Sequence, residues 1–229
     1  RDVIVHAEGP ELLRAFWDAI IKVTVLDPTC GSGAFLFAAL RILETLYSDC
    51  LERMERFIED ISDKPHHPEQ YSDFSKVLAQ LAKHHNERYF ILKSIIINNL
   101  FGVDIMEEAV EICKLRLFLK LAAQIEPDPT RDNLGIEPLP DIDFNIRAGN
   151  TLVGFAKLEE VKTLGTLDFD NATEKIAIKA ADLQQTFDKF RELQTEVDGS
   201  VPSADKRELQ NRLKALEAEL NQHLAAQYD

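Results

Sequence analysis

Apolar residues at Leu12, Leu13, Phe16, Ala19 and Ile20 recur at helical spacing between Glu11 and Ile21, with Pro10 where a proline suits the first turn. The run Val23-Thr24-Val25-Leu26 follows, β-branched and apolar, as in a parallel strand buried on both faces. It stops at Asp27-Pro28-Thr29-Cys30-Gly31-Ser32-Gly33, and Ala34 to Leu40 opens a helical pattern that reaches about Asp60. Strand, glycine turn and helix in that order open a βαβ unit.

Ile61 to Tyr71 contains two prolines and no periodicity and reads as a loop, after which Asp73 to about Asn98 is helical again. Leu100-Phe101-Gly102-Val103-Asp104 is a second short strand that ends on an acid. Glu107 to Gln124 reads as a strongly amphipathic helix, Pro127 to Asp141 as a proline-rich loop, and Phe144 to Ala148 as a third strand closed by Gly149-Asn150. Beyond about residue 170 the texture changes. Ile176, Ala180, Leu183, Phe187 and Phe190 form one apolar stripe, and Leu209, Leu213, Leu216, Leu220 and Leu224 form another. Between them Asp198 to Ser203 carries a helix stop and a new cap, so the segment predicts an antiparallel helical hairpin with coiled-coil-like seams. The expected organisation is an α/β part over residues 1–168, with a helical insertion at about 44–97, and a hairpin over 169–229. The chain begins Arg1-Asp2-Val3 without an initiator Met and stops directly after a helical pattern, which reads as a piece of a longer protein.

Composition narrows the class. At 45% hydrophobic residues and a mean hydropathy of -0.19, the 229-residue chain has ample material for a core, and no run approaches a membrane span. The N-terminus is not a signal peptide. Three scattered cysteines, Cys30, Cys50 and Cys113, argue against a disulfide framework or a zinc site. A cytoplasmic protein with no membrane partner is the expectation. Forty acids against 26 bases give a net charge of -14, with both parts acidic: 25 against 16 over residues 1–150, and 15 against 10 over 151–229. Phosphate binding draws on clustered Lys and Arg, so this chain by itself is not a DNA clamp.

The candidate chemistry lies at the strand ends. A glycine turn between a buried strand and a helix lets backbone approach a ligand closely, next to the unpaired amides of the helix N-terminus. The turn here lacks the Gly-Lys-Ser/Thr of a nucleoside triphosphate loop and the third glycine of a nicotinamide dinucleotide site. Asp104, at the carboxyl end of the second strand, is placed as an acid that accepts ribose hydroxyls. Asn150, after the third strand, offers an amide that can read an adenine ring. Those three features suit an adenosine-containing cofactor without phosphates.

The stretch from Val25 to Leu36 closely resembles the cofactor motif of the adenine-N6 DNA methyltransferases. The Asn98 to Ile105 run and the Ile146 to Leu152 run resemble the second and third motifs of that family, in the same order. The nearest resemblance is to the large fused restriction–modification and phage-defence methylases of the Eco57I-like type. It implies a class I methyltransferase sheet, Rossmann-like and incomplete here, that binds S-adenosyl-L-methionine across its strand ends. By this resemblance Asp27, Pro28, Thr29, Cys30, Gly31, Ser32 and Gly33 wrap the methionine moiety, with Phe35 beside them. Asp104 holds the ribose hydroxyls, Ile105 lies against the adenine face, and Asn150, with Leu152 nearby, meets the adenine amino group. The substrate it implies is adenine in DNA, flipped beside the cofactor.

Such enzymes activate the amino group with an Asn-Pro-Pro-Tyr/Phe loop. These 229 residues contain no Asn-Pro and no Pro-Pro pair, so no catalytic residue is assigned here and the chain is not expected to methylate DNA alone. DNA contact is expected from parts of the parent not present in this sequence. The alternative from another class is a non-catalytic helical interaction module on a degenerate methyltransferase fold. Each candidate also has a structural use: a tight βα turn for the glycines, a helix cap for Asp104, a turn cap for Asn150, and plain packing for Cys30. His66, His67, His84 and His85 lack metal-ligand spacing and are expected to be surface or inserted-helix residues.

Overall fold

Val25–Asp27 (β1), Leu100–Asp104 (β2) and Ile146–Ala148 (β3) pair in parallel in the order β1-β2-β3 in the computed structural model. That model describes residues 1–62, 71–84, 86–130, 134, 136–153, 172–195 and 203–228. The register aligns Val25 with Leu100 and Asp104 with Ala148. The helices of this unit are Asp2–Val5 (α1), Pro10–Lys22 (α2), Ala34–Ser62 (α3), Ser72–Leu81 (α4), Glu87–Asn98 (α5) and Glu107–Ala122 (α6). None of the described helices is long and apolar enough to cross a membrane.

β1 is shorter than its sequence pattern and lies one side of the sheet's centre. Val23 is the C-cap of α2, in extended backbone, and its N–H still closes that helix on Ala19. Leu26 is 62% exposed, so β1 does not have the two covered faces that its β-branched run predicts. β1 is an edge strand among the described residues, and Leu26 lies on its uncovered side.

α5 runs through a core that also takes buried side chains from α2, α3 and α6. Every residue from Tyr89 to Ile97 is buried, which is how a helix apolar all round must sit. The predicted helix over 73–98 is in fact two helices, because Asn86 caps α5 by accepting the Tyr89 N–H on its side chain at 3.0 Å. α6 also departs from expectation. Val110, Cys113, Leu117 and Leu121 face the core, yet Ile112, Leu115 and Leu119 on another face are more than half exposed or close to it. It is apolar on two faces rather than strongly amphipathic.

Two buried asparagines tie the strands to the helices. Asn99 donates to the carbonyls of Ile20 and Val23 at 2.8 and 2.6 Å and accepts from the Tyr47 hydroxyl at 2.9 Å. Asn145 donates to the carbonyls of Ile96, Ile97 and Leu100, so the residue before β3 holds the α5–β2 junction. Phe144 and Asn145 therefore form a turn, and the strand begins at Ile146. Both asparagines satisfy carbonyls that would otherwise be buried without donors.

His84 is not a surface residue. Its imidazole is fully buried, with Nδ1 2.8 Å from Oε2 of Glu137, and Lys93 Nζ lies 3.6 Å from the same oxygen. The three join the end of α4, the middle of α5 and the connector before β3. Burial pushes the Lys93 ammonium below its usual range, against the pull of Glu137. His66, His67 and His85 lie outside the described residues.

The chain divides after Gly149 into a second unit that contains the helices Ala172–Thr195 (α7) and Ser203–Tyr228 (α8). The boundary expected near residue 168 and the turn from Asp198 to Pro202 lie outside the described residues. Ile176 and Leu216 pack together with Ala180, Leu183 and Leu220, while Phe190 and Leu209 are buried farther along. Arg212 of α8 donates to Asp182 and Thr186 of α7 at 2.6 and 2.9 Å. Early α7 thus meets late α8, the antiparallel hairpin that the two stripes predict.

Candidate cofactor site

The glycine turn is built on β2. The Cys30 N–H donates to the Val103 carbonyl at 2.9 Å, so the ladder continues past the end of β1. Gly31 and Gly33 have φ of +50° and +88°, the left-handed region that side chains resist. A Cβ on Gly33 would sit 2.6 Å from the Cys113 sulfur of α6. Gly102 in β2 matters for a different reason: a Cβ there would stand 3.0 Å from the side chains of Cys30 and Leu36, a tight fit between strand and turn. By contrast, nothing lies within 4 Å of the place a Gly31 Cβ would take.

Asp104 closes the arrangement. Its Oδ2 accepts the Gly31 N–H at 2.8 Å and its Oδ1 accepts the Met106 N–H at 2.9 Å. Those amides, Met106 first, hold the carboxyl below its ordinary pKa, so it is ionised at neutral pH. The N-cap of α6 is Met106, whose side chain makes no capping bond, so Asp104 forms an Asx-type turn and not the cap itself. Two motifs 73 residues apart in sequence are thereby brought to one strand end.

Asp27 is buried at the head of the turn. Its Oδ1 accepts the Thr29 N–H at 3.2 Å, and its Oδ2 has no hydrogen-bond partner among the described residues. A buried carboxylate oxygen without a donor costs free energy until a donor reaches it. Around the turn stand large apolar side chains that the core leaves out: Phe35 is 78% and Ile105 75% exposed, with Met106 also exposed. Pro28, Thr29 and Ser32 are exposed as well. An orphaned acceptor, an ionised strand-end acid and exposed apolar faces form an acceptor and contact set that fits an aminoacyl-bearing nucleoside.

Cys30 is buried against Cys113. Burial raises both thiols, and Cys113 is pushed up to about 12, so Cys30 is a packing residue of the turn and not an activated nucleophile. Asn150 and Leu152 fall in the second unit. There Asn150 Oδ1 accepts the Leu152 N–H at 3.0 Å, and Leu152 itself is exposed. The sequence does not mark Cys113 or Arg116 as neighbours of the turn. Nothing in their local pattern marks them, because the contact depends on α6 crossing under a turn some 80 residues earlier.

A glycine turn between parallel strands and an acid at the next strand end are features of the methyltransferase class, and comparison with known proteins agrees. Residues 5–153, more than half of the chain, match the family model described as "MmeI, DNA-methyltransferase domain". Residues 98–223 match the model described as "Eco57I restriction-modification methylase". The chain belongs to this family of restriction–modification DNA methyltransferases. It is 35% identical over 153 residues, 65% of its length, to a Methanocaldococcus jannaschii protein whose assigned name is that of a type II restriction enzyme and methyltransferase. To the type II restriction enzyme and methyltransferase RM.Eco57I of Escherichia coli it is 25% identical over 158 residues, 66% of its length. The matched regions are 10% and 14% of those two proteins, so the chain spans only a small part of the relatives it matches. No solved structure matches it.

Proposed function

We propose that this chain is the S-adenosyl-L-methionine-binding part of a class I methyltransferase whose parent transfers a methyl group to adenine N6 in DNA, within a restriction–modification or phage-defence system. The observation that carries the reading is the bond from the Gly31 amide to Asp104, which joins the glycine turn and the strand-end acid in one site. The cofactor supplies a methyl group on a sulfonium centre. The residues of this chain bind and orient it.

An ionised carboxylate accepts about four hydrogen bonds, and the Gly31 and Met106 amides use two, which leaves Asp104 capacity for two ribose hydroxyls. Ile105, next in sequence and exposed, offers an apolar face for the adenine, and Phe35 offers another beside the turn. The unpartnered Oδ2 of Asp27 is the acceptor for the ammonium end of the methionine moiety. Pro28, Thr29, Cys30, Gly31, Ser32 and Gly33 shape the backbone between these groups.

None of these residues activates the target base. With no Asn-Pro pair in the chain, that step is assigned to other parts of the parent, as is the grip on DNA, in keeping with a net charge of -14. Calorimetric titration with S-adenosylhomocysteine, the demethylated product, tests the reading. A saturable heat of binding with one site per chain is expected; a flat titration of folded chain would overturn the cofactor assignment.

A further inference from the structure

We propose that Arg116 is a positioning residue for the glycine turn, holding it in its ligand-ready shape together with Asp104; the link to affinity rests on the cofactor reading above. Arg116 lies on α6, 84 positions from Ser32 in sequence. Its Nη1 donates to the Ser32 carbonyl at 2.5 Å and lies 3.0 Å from the Ser32 hydroxyl oxygen. Its guanidinium carbon stands 4.6 Å from the centre of the Phe37 ring, in the first turns of α3. One planar cation therefore spans the turn and the start of the helix that the turn introduces.

The charges are arranged along the peptide dipoles. Asp104, an anion, takes the N–H of Gly31, and Arg116, a cation, takes the carbonyl of Ser32. A segment with an amide donor and a carbonyl acceptor one residue apart is thus clamped by opposite charges at its two ends. Beneath it, Cys113, one turn before Arg116 on the same helix, fills the space that a Gly33 side chain would need. The clamp has a purpose that packing alone does not meet. Two glycines in the left-handed region carry the largest backbone entropy of any residue, and an unheld turn would spread over other conformations. Fixing it before a ligand arrives removes that ordering cost from binding. Arg116 acts on the ligand through Ser32, without touching it.

Amide hydrogen exchange in the ligand-free chain tests the clamp directly, since the Gly31 and Gly33 amides are both hydrogen-bonded, to Asp104 and to the Cys30 carbonyl. Arg116→Met should speed exchange at Gly31, Ser32 and Gly33 by about tenfold and weaken S-adenosylhomocysteine binding by about three- to tenfold, as a charge-assisted bond at a half-exposed site allows. Exchange in β2 and α5 should stay unchanged. Arg116→Lys, which keeps the charge but not the planar stack, should recover part of both effects, and Ser32→Ala should cause a smaller loss than Arg116→Met. Unchanged exchange in the turn, or faster exchange spread evenly over β2 and α5, would overturn the proposal. A wild-type chain that binds no S-adenosylhomocysteine would overturn the cofactor reading, and the exchange measurement would still decide whether Arg116 holds the turn.

Discussion

Asp104 Oδ2 accepts the Gly31 N–H at 2.8 Å, although the two residues are 73 positions apart. The end of β2 and the turn after β1 are therefore one object, and a change at either should be felt at both. Replacing Asp104 with Asn removes the charge and leaves one accepting oxygen for the two amides, whereas Ala removes both bonds. Affinity for S-adenosylhomocysteine is expected to fall about tenfold for Asp104→Asn and about a hundredfold for Asp104→Ala, the range for hydrogen bonds to a charged group. Calorimetry on folded variants checks this, and equal affinities for wild type and Asp104→Ala would remove Asp104 from the site.

The same bonds set a pH dependence. The amides of Met106 and Gly31 depress the Asp104 pKa below the ordinary carboxylate range in the folded chain. A depressed acid contributes stability that is complete above the unfolded value and is lost as pH falls through the folded one. Protection of the Gly31 amide should therefore be flat from neutral pH down to about pH 5 and decline only below about pH 4. Carbon-detected titration of the Asp104 carboxyl should place its midpoint below that of an exposed aspartate.

Gly31 and Gly33 predict different costs. Gly33→Ala sets a methyl group 2.6 Å from the Cys113 sulfur at a φ of +88°, and should destabilise the chain by about 2–4 kcal/mol. Gly31→Ala meets no neighbour within 4 Å and should cost about 1 kcal/mol from its backbone alone. Chemical denaturation of the two variants measures the difference. A Gly31→Ala chain as unstable as Gly33→Ala would show that Cys113 is not the obstacle.

The Lys93–Glu137 pair is almost wholly buried, at 1% and 8% side-chain exposure. Lys93→Met takes the ammonium from a buried Glu137 that still has His84 at 2.8 Å, and should lose about 1–3 kcal/mol of unfolding free energy. The double variant Lys93→Met, Glu137→Gln should lose less than the two single losses added together. Strict additivity in a double-mutant cycle would mean that the pair is not coupled.

All three thiols are buried, and burial lifts each above its usual pKa, Cys50 and Cys113 to about 12. At pH 8 Cys50 and Cys113 are therefore thiols, and Cys30 is shifted in the same direction. Native chain should react with a soluble disulfide reagent only as fast as it opens, and denaturant should release three thiols together. Rapid labelling of Cys30 in folded protein would show that the turn is open.

Much of the site was written locally. The run from Asp27 to Gly33, the acid at Asp104 and the order of strand, turn and helix depend on neighbours in sequence, and periodicity and turn chemistry locate them. β2 lies over the residues its pattern predicts, while β1 and β3 start later than theirs. Those starts are decided elsewhere: Val23 stays with α2 because its N–H closes that helix on Ala19, and Asn145 turns inward to reach three carbonyls. The break between α4 and α5 was legible only in hindsight, as the cap at Asn86.

Other features had no local signal. His84 looks like half of a surface pair until Glu137, 53 residues later, comes 2.8 Å from its ring. α6 shows its second apolar face only once the core has taken the first. The sequence by itself pointed to the family and to the order of strand, glycine turn and helix, because those are encoded in short motifs. Tertiary structure alone decided that Arg116 and Cys113 support the turn and that Asp104 is tied to Gly31. Parallel strands need long crossovers, and a crossover carries residues dozens of positions apart into contact that no local pattern records.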